Sequence, residues 1–319
     1  MINMIQALNQ TLMQRMGRDE RIVVFGEDCG FFGGVFRVTS GLQQKFGKER
    51  AFDAPLCEQG IVGFAIGMAQ KGMKPCCEIQ FADYIFPAYD QIVNELAKMR
   101  YRTGGQYSAP VVIRTPYGGG IHGGLYHSQS PEAQFLHTPG LRVVVPSGPY
   151  EAKGLLITAL RGNDPVLFLE PKRIYRSLKE NVPEEEYEIP FGKADITRIG
   201  SQVTLVGWGA QHHQNMQAAA ECGLDVEVIN LRTLSPWDKA AVFRSVEKTG
   251  RLLIAHEAPK TCGFGAEIAA AVMEEAFLHL KAPVMRVAGL DTPFPHTLEK
   301  EYLPDAPRVV KALQEIVKY

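Results

Sequence analysis

Short runs of almost unbroken apolar residues alternate with helix-period segments along the whole chain, and this alternation restricts the fold more than any other feature. The runs are RIVVF at 21–25, CCEIQF at 76–81, PVVIRT at 110–115, PVLFLE at 165–170, VTLVGWG at 203–209, DVEVINLR at 225–232, RLLIAHE at 251–257 and PVMRVAG at 283–289. A strand with one face in water alternates apolar and polar residues. A strand covered by helices on both faces of a parallel sheet does not. The intervening segments predict helices over about 2–16, 60–71, 83–102, 151–162, 210–222, 238–248, 264–279 and 306–318. In 83–102, Ile85, Tyr89, Ile92, Leu96 and Met99 recur at three- and four-residue steps. The expected fold class is α/β, with two three-layer α/β/α domains on mostly parallel sheets. The charged, proline-containing stretch RSLKENVPEEEYEIPFG at 176–192 breaks the pattern and reads as a linker, dividing the chain into 1–185 and 186–319.

Length and charge set the remaining bounds. The 319 residues suffice for about two domains. Lys plus Arg is 34 and Asp plus Glu is 35, a net charge of −1, which excludes general attraction to nucleic acid or an anionic membrane. No apolar run reaches the length of a membrane span. The six cysteines form no C-x-x-C pair, so neither a zinc site nor a disulfide framework is signalled, and a reducing compartment is the simpler reading.

Several motifs carry chemistry. Gly118-Gly119-Gly120-Ile121-His122-Gly123 satisfies the dinucleotide-binding spacing after a strand. The following GLYHSQSPEAQFLHTPG lacks both the helical period and the acid near 140 that such a fold requires, so the segment reads as a Gly-rich active-site loop carrying His122 and His127. Glu58 stands at the start of a Gly-rich helical run, either as a capping carboxylate or as a site residue, and Cys57 beside it reads as packing. His212-His213 and His256-Glu257 lack metal-ligand spacing. The charges between Asp83 and Arg102 read as a solvated or interface face, and Trp208, Trp237 and the phenylalanines as core.

Longer strings go further. GEDCGFFGGVFRVTSGLQQKFGKERAFDAPLCEQGIVGFAIGMA, EIQFADYIFPAYDQIVNELAKMRYRTGG and GGLYHSQSPEAQFLHTPGLRVVVPS resemble the β subunits of thiamine-diphosphate-dependent 2-oxo acid dehydrogenases. In the second half LRTLSPWD, TGRLLIAHEAP and GLDTPFPH continue the resemblance. FGGVFRVT, IQFADYIFPAYDQIVNE and DTPFPH are most similar to the branched-chain (2-oxoisovalerate) enzymes, with pyruvate or acetoin enzymes as the alternative. The resemblance implies a transketolase-like pyrimidine-binding domain followed by a transketolase C-terminal-like domain. It implies an α2β2 E1 component that decarboxylates a 2-oxo acid and passes the acyl unit to a lipoyl group of the E2 transacylase. The α subunit of such enzymes carries the GDG…N motif for Mg2+ and diphosphate. This chain has no GDG, so it should supply half of an active site.

By the same resemblance, Glu58 is the carboxylate that shares a proton with the aminopyrimidine ring of the cofactor, and Tyr84 is the aromatic packed on that ring. Leu56 faces the ring through its carbonyl, and Glu27 and Gln80 lie at the cofactor end. The loop Cys29–Phe32 departs from the family pattern by one residue, close to Glu27. His127 is the histidine that moves a proton during reductive acylation, with a weaker claim for His122. A main-chain K+ site is implied at Val111, Val112, Ala159 and Asp164. The start at Met1 without a transit-like segment is the basis for expecting the bacterial cytoplasm rather than the mitochondrial matrix.

Overall fold

The computed structural model describes residues 1–319. The predicted strands are all present, in two sheets. The first has seven strands in the order Thr233–Ser235, Arg142–Val144, Val166–Pro171, Val112–Tyr117, Lys74–Glu78, Ile22–Gly26 and Ala51–Asp53. All its pairings are parallel except that of Thr233–Ser235, which runs antiparallel to Arg142–Val144. The second has five strands in the order Met285–Gly289, Leu252–Pro259, Val203–Gly207, Val226–Asn230 and Asp195–Arg198, with only the last antiparallel. Its central strands are buried along their whole length, as continuous apolar runs require.

Helices Met4–Arg18 and Pro149–Arg161 cover one face of the first sheet, where Leu8, Leu12, Leu155 and Leu156 meet Val24 and Phe168. An Asn3–Gln6 capping box starts the first helix, at 3.0 Å in each direction. The opposite face carries a cluster that runs without interruption from Val23, Phe25 and Ile113 to Trp208, Ile254 and Val272 of the second half. The two halves therefore share one core.

Three features differ from the sequence reading. The long helix expected over 83–102 is a chain of short pieces: 3-10 turns at Ala82–Tyr84 and Phe86–Ala88, a π-helix at Gln91–Leu96 and an α-helix at Met99–Arg102. Pro87 has no N–H to donate back into a regular α-helix. Ala97 N–H then reaches the carbonyl of Ile92, five residues back, at 2.9 Å. The helix expected over 264–279 ends at Glu275, followed by a 3-10 turn at Phe277–His279. A short helix, Glu132–Leu136, stands where the sequence shows no helical period.

The stretch 176–192 is also more than a linker. Lys179–Glu180 pairs with Ile2–Asn3, Tyr187 stacks on Tyr150 at 4.5 Å, and Ile189 is buried. The Glu186 carboxylate accepts Arg15, Arg18 and Arg161. The segment is a strap fastened across both helices of the outer layer. Cys57, expected in the packing, is exposed, and so is Phe31, while Trp237 is only half-buried. All six cysteines are free thiols.

Candidate active site

Four loops leave the C-terminal ends of adjacent parallel strands and carry the residues singled out in the sequence. Glu27 follows strand Ile22–Gly26, Leu56 and Glu58 follow Ala51–Asp53, Gln80 to Tyr84 follow Lys74–Glu78, and the Gly-rich loop follows Val112–Tyr117. In open parallel sheets this edge is where ligands bind.

Glu27 is only 4% exposed, and both its carboxylate oxygens are buried without a hydrogen-bond partner. Burial, then the charges of Glu58, Asp28 and Glu78, push its pKa up to about 7. Glu58 is half-buried at the first turn of helix Glu58–Gln70, where Cys57 makes no side-chain cap. The unpartnered Glu27 oxygens suit a group that brings its own N–H donors, as an aminopyrimidine does. Gln80 donates to Asp28 Oδ2 at 3.1 Å, beside Glu27. The Leu56 side chain is 82% exposed.

Tyr84 and His127 meet directly, the phenol oxygen lying 2.8 Å from His127 Nε2. Burial, then Asp83, Glu27 and Glu58, raise the pKa of Tyr84, so the phenol keeps its proton. A protonated phenol can donate to Nε2, which leaves the imidazole proton on Nδ1. Phe81 packs edge-on against His127 at 4.6 Å between ring centres and against Tyr84 at 5.7 Å.

The loop bearing His127 is fastened from two sides. Asp83 Oδ1 accepts the backbone N–H groups of Ser128 and Gln129, each at 3.1 Å. From the second half of the chain, Glu257 accepts Gly119 N–H at 3.3 Å and Glu299 accepts His122 N–H at 3.1 Å. Glycine is required where the loop closes on itself: a Cβ on Gly123 would stand 2.5 Å from His127 Cβ. Asp83, read from the sequence as part of a solvated or interface face, is buried. Its role was missed because it acts through backbone N–H groups, which no residue pattern reveals.

Beneath these loops lies a buried ion network. Arg114 donates Nε and one terminal nitrogen to Glu170 at 2.7 and 2.9 Å, and its other nitrogen to Glu78 at 2.9 Å. The Tyr175 hydroxyl donates to Glu170 at 2.5 Å. Two carboxylates and one guanidinium fix the middle strands below the site.

Other expected residues lie elsewhere. Val111, Val112, Ala159 and Asp164 sit at the opposite, N-terminal edge of the sheet. Their polar groups are already engaged: Val111 carbonyl accepts Val166 N–H at 3.0 Å, Ala159 carbonyl accepts Gly162 N–H at 3.1 Å, and Asp164 carries Arg100 and Arg142 at 2.6 and 3.2 Å. His122 is exposed, with Nδ1 3.9 Å from Glu299. His212 is buried and its pKa is lowered to about 3 by burial and by His213, and no three His, Cys, Asp or Glu side chains cluster as metal ligands.

Comparison with known proteins agrees with this fold. Residues 1–177 match the transketolase pyrimidine binding domain and residues 192–309 the transketolase C-terminal domain. The mitochondrial 2-oxoisovalerate dehydrogenase subunit beta of Dictyostelium discoideum is 55% identical across 100% of this chain and 87% of its own length. The 2-oxoisovalerate dehydrogenase subunit beta of Pseudomonas aeruginosa is 48% identical across 99% of this chain and 95% of its own. The pyruvate dehydrogenase E1 component subunit beta of Staphylococcus epidermidis is 46% identical across 100% and 99%. A solved split-gene transketolase, an inactive beta4 tetramer, shares the fold with a TM-score of 0.81 over 99% of this chain and 98% of its own, at 24% identity. With its loops on one sheet edge and full-length relatives at about half identity, the chain belongs to the β-subunit family of 2-oxo acid dehydrogenase E1 components, of the 2-oxoisovalerate type.

Proposed function

We propose that this chain supplies the pyrimidine-binding half of a thiamine-diphosphate site in a branched-chain 2-oxo acid dehydrogenase, completed by an α subunit. The observation that carries this reading is the buried, unpartnered Glu27 carboxylate beside Glu58, next to the Tyr84–His127 hydrogen bond. When bound, thiamine diphosphate supplies the nucleophilic carbon and the electron sink that decarboxylation of a 2-oxo acid needs. Glu58 holds or shares the proton of the aminopyrimidine ring nitrogen. Glu27 is the second acid beside it, poised near neutral pH. Tyr84 packs on the aminopyrimidine ring while its hydroxyl orients His127, and His127 moves a proton to or from the lipoyl group of an E2 acyltransferase. Leu56 and Gln80 line the cofactor end.

The partner follows from what surrounds the site. Phe31, Phe32, Leu56, Leu125 and Tyr126 are exposed apolar side chains on the site loops or beside them, the composition of a surface that another subunit covers. Diphosphate and Mg2+ are held mainly from that subunit, since this chain offers no clustered metal ligands.

Reconstitution tests the reading. The chain is mixed with an α subunit, thiamine diphosphate and Mg2+, and decarboxylation is followed with an artificial electron acceptor. Activity is expected only with the partner, and chiefly on 2-oxoisovalerate. A preference for pyruvate would favour the second reading, to which the 46% identical pyruvate relative gives support. Full activity of the chain alone would overturn the shared-site argument.

A further inference from the structure

At the foot of the first sheet, opposite the site, a lysine occupies a position of a different kind. Lys74 opens strand Lys74–Glu78, is buried, and points at the C-terminal end of helix Pro149–Arg161. Its Nζ donates to the carbonyls of Leu160, Arg161 and Gly162 at 3.2, 2.8 and 3.0 Å. An ammonium has three N–H donors and no acceptor. A neutral amine has two donors and would turn a lone pair toward a third carbonyl. Three carbonyls around one nitrogen therefore specify the charged form. The end of a helix carries partial negative charge and unused carbonyls, which a cation stabilises.

The same turn is where the family resemblance leads one to expect potassium. Its oxygens already accept from Lys74, from Gly162 N–H and Val166 N–H, and from Arg100 and Arg142. A second monovalent cation there would sit beside a fixed positive charge, and the carboxylate at the turn, Asp164, already carries two arginines.

We propose that the Lys74 ammonium serves as a built-in monovalent cation at this turn, so that the fold is locked there without bound potassium. The role is structural: it joins the end of an outer helix to the middle of the sheet, at the edge away from the catalytic loops. It holds whatever the substrate of the assembled enzyme.

Thermal unfolding of the full chain in KCl, NaCl and choline chloride at equal ionic strength tests this. The wild-type midpoint is expected to be the same in all three salts. Lys74→Ala removes the charge and opens room for an ion. In choline its midpoint is expected to fall by about 3–6 °C, the loss of a buried charged hydrogen-bonding group in a chain of this size. Potassium or ammonium should restore part of that loss, and choline none. A potassium-specific rise in the wild type would overturn the proposal. So would a Lys74→Ala chain as stable as wild type, or one equally destabilised in every salt, which would reduce Lys74 to an ordinary helix-end contact. If Lys74→Ala does not fold, Lys74→Met keeps the side-chain volume and takes its place in the choline comparison. The wild-type salt series decides independently of both variants.

Discussion

The Tyr84 hydroxyl lies 2.8 Å from His127 Nε2, joining the turn after one central strand to the loop after the next. That bond fixes which imidazole nitrogen, Nδ1, is free. In Tyr84→Phe the ring packing survives and the bond is lost. We expect transfer to the lipoyl group to slow about tenfold, with a smaller effect on decarboxylation measured with an artificial acceptor. Equal losses in both half-reactions would mean that the hydroxyl acts on the cofactor rather than through His127.

Asp83 has a longer reach than its position suggests. One carboxylate oxygen takes two backbone N–H groups of the His127 loop, both near the site floor. Asp83→Ala leaves those donors unpaired, a cost of about 1–3 kcal/mol for each that stays buried. The expected result is faster proteolytic cleavage within residues 118–130, with the overall thermal midpoint lowered much less. An unchanged cleavage rate would mean that Glu257 and Glu299 suffice to hold the loop.

Those two carboxylates offer a separate test. Glu299 is buried and accepts the N–H of His122, whose φ of +54° is unusual for a residue with a side chain. Glu299→Ala releases that strained backbone. In the assembled enzyme we expect kcat for the lipoyl reaction to fall several-fold with little change in KM for the 2-oxo acid. A change confined to KM would instead put Glu299 in the substrate path.

The buried acids make stability depend on pH in a defined direction. Glu27 is raised from 4.5 to about 7, and Glu132 from 4.5 to about 8, each chiefly by burial. Below the unfolded value both states of the chain hold the proton, and there is no penalty. As pH rises past 4.5, the unfolded chain ionises first, so stability falls until the folded pKa is passed and then levels off. Glu132→Gln keeps an acceptor for Trp208 Nε1, now 3.3 Å from the carboxylate. Its thermal midpoint relative to wild type should therefore rise between pH 5 and pH 8.5. Glu27→Gln should show the same trend, ending nearer pH 7. A flat difference across that range would mean that neither acid is raised.

Arg114 supports the site from below. Arg114→Met leaves Glu78 and Glu170 buried without their counter-charge, and a loss of about 3–5 kcal/mol is expected in denaturant unfolding. Arg114→Met combined with Glu78→Gln and Glu170→Gln should recover part of it, as the uncompensated charges are then gone.

Much of this architecture is legible in the residues. Strands buried on both faces show up as apolar runs because burial acts locally on every position. Glu58, Tyr84 and His127 stand out because each lies in a long string characteristic of the family. What escapes is set by geometry between distant segments. The helical period of 83–102 is real on the buried face, yet Pro87 and the five-residue hydrogen bond at Ala97 divide the segment into short turns. The strap at 176–192 looks like a linker because it is charged, and those charges are partners for Arg15, Arg18 and Arg161 in helices far away in sequence. The raised pKa of Glu27 cannot be read from the sequence, since it depends first on how deeply the fold buries the carboxyl and then on which other acids it gathers around it.

The edge strand Thr233–Ser235 has a consequence for biosynthesis. It completes the first sheet from a point more than sixty residues beyond the previous strand of that sheet, Val166–Pro171. A ribosome that has released only the first half has made a sheet whose flank at Arg142–Val144 is bare, with unpaired backbone groups ready to recruit another chain. The nascent protein therefore exposes that flank until the second half emerges. A truncation ending near residue 185 should collect in inclusion bodies, while the full-length product stays dispersed.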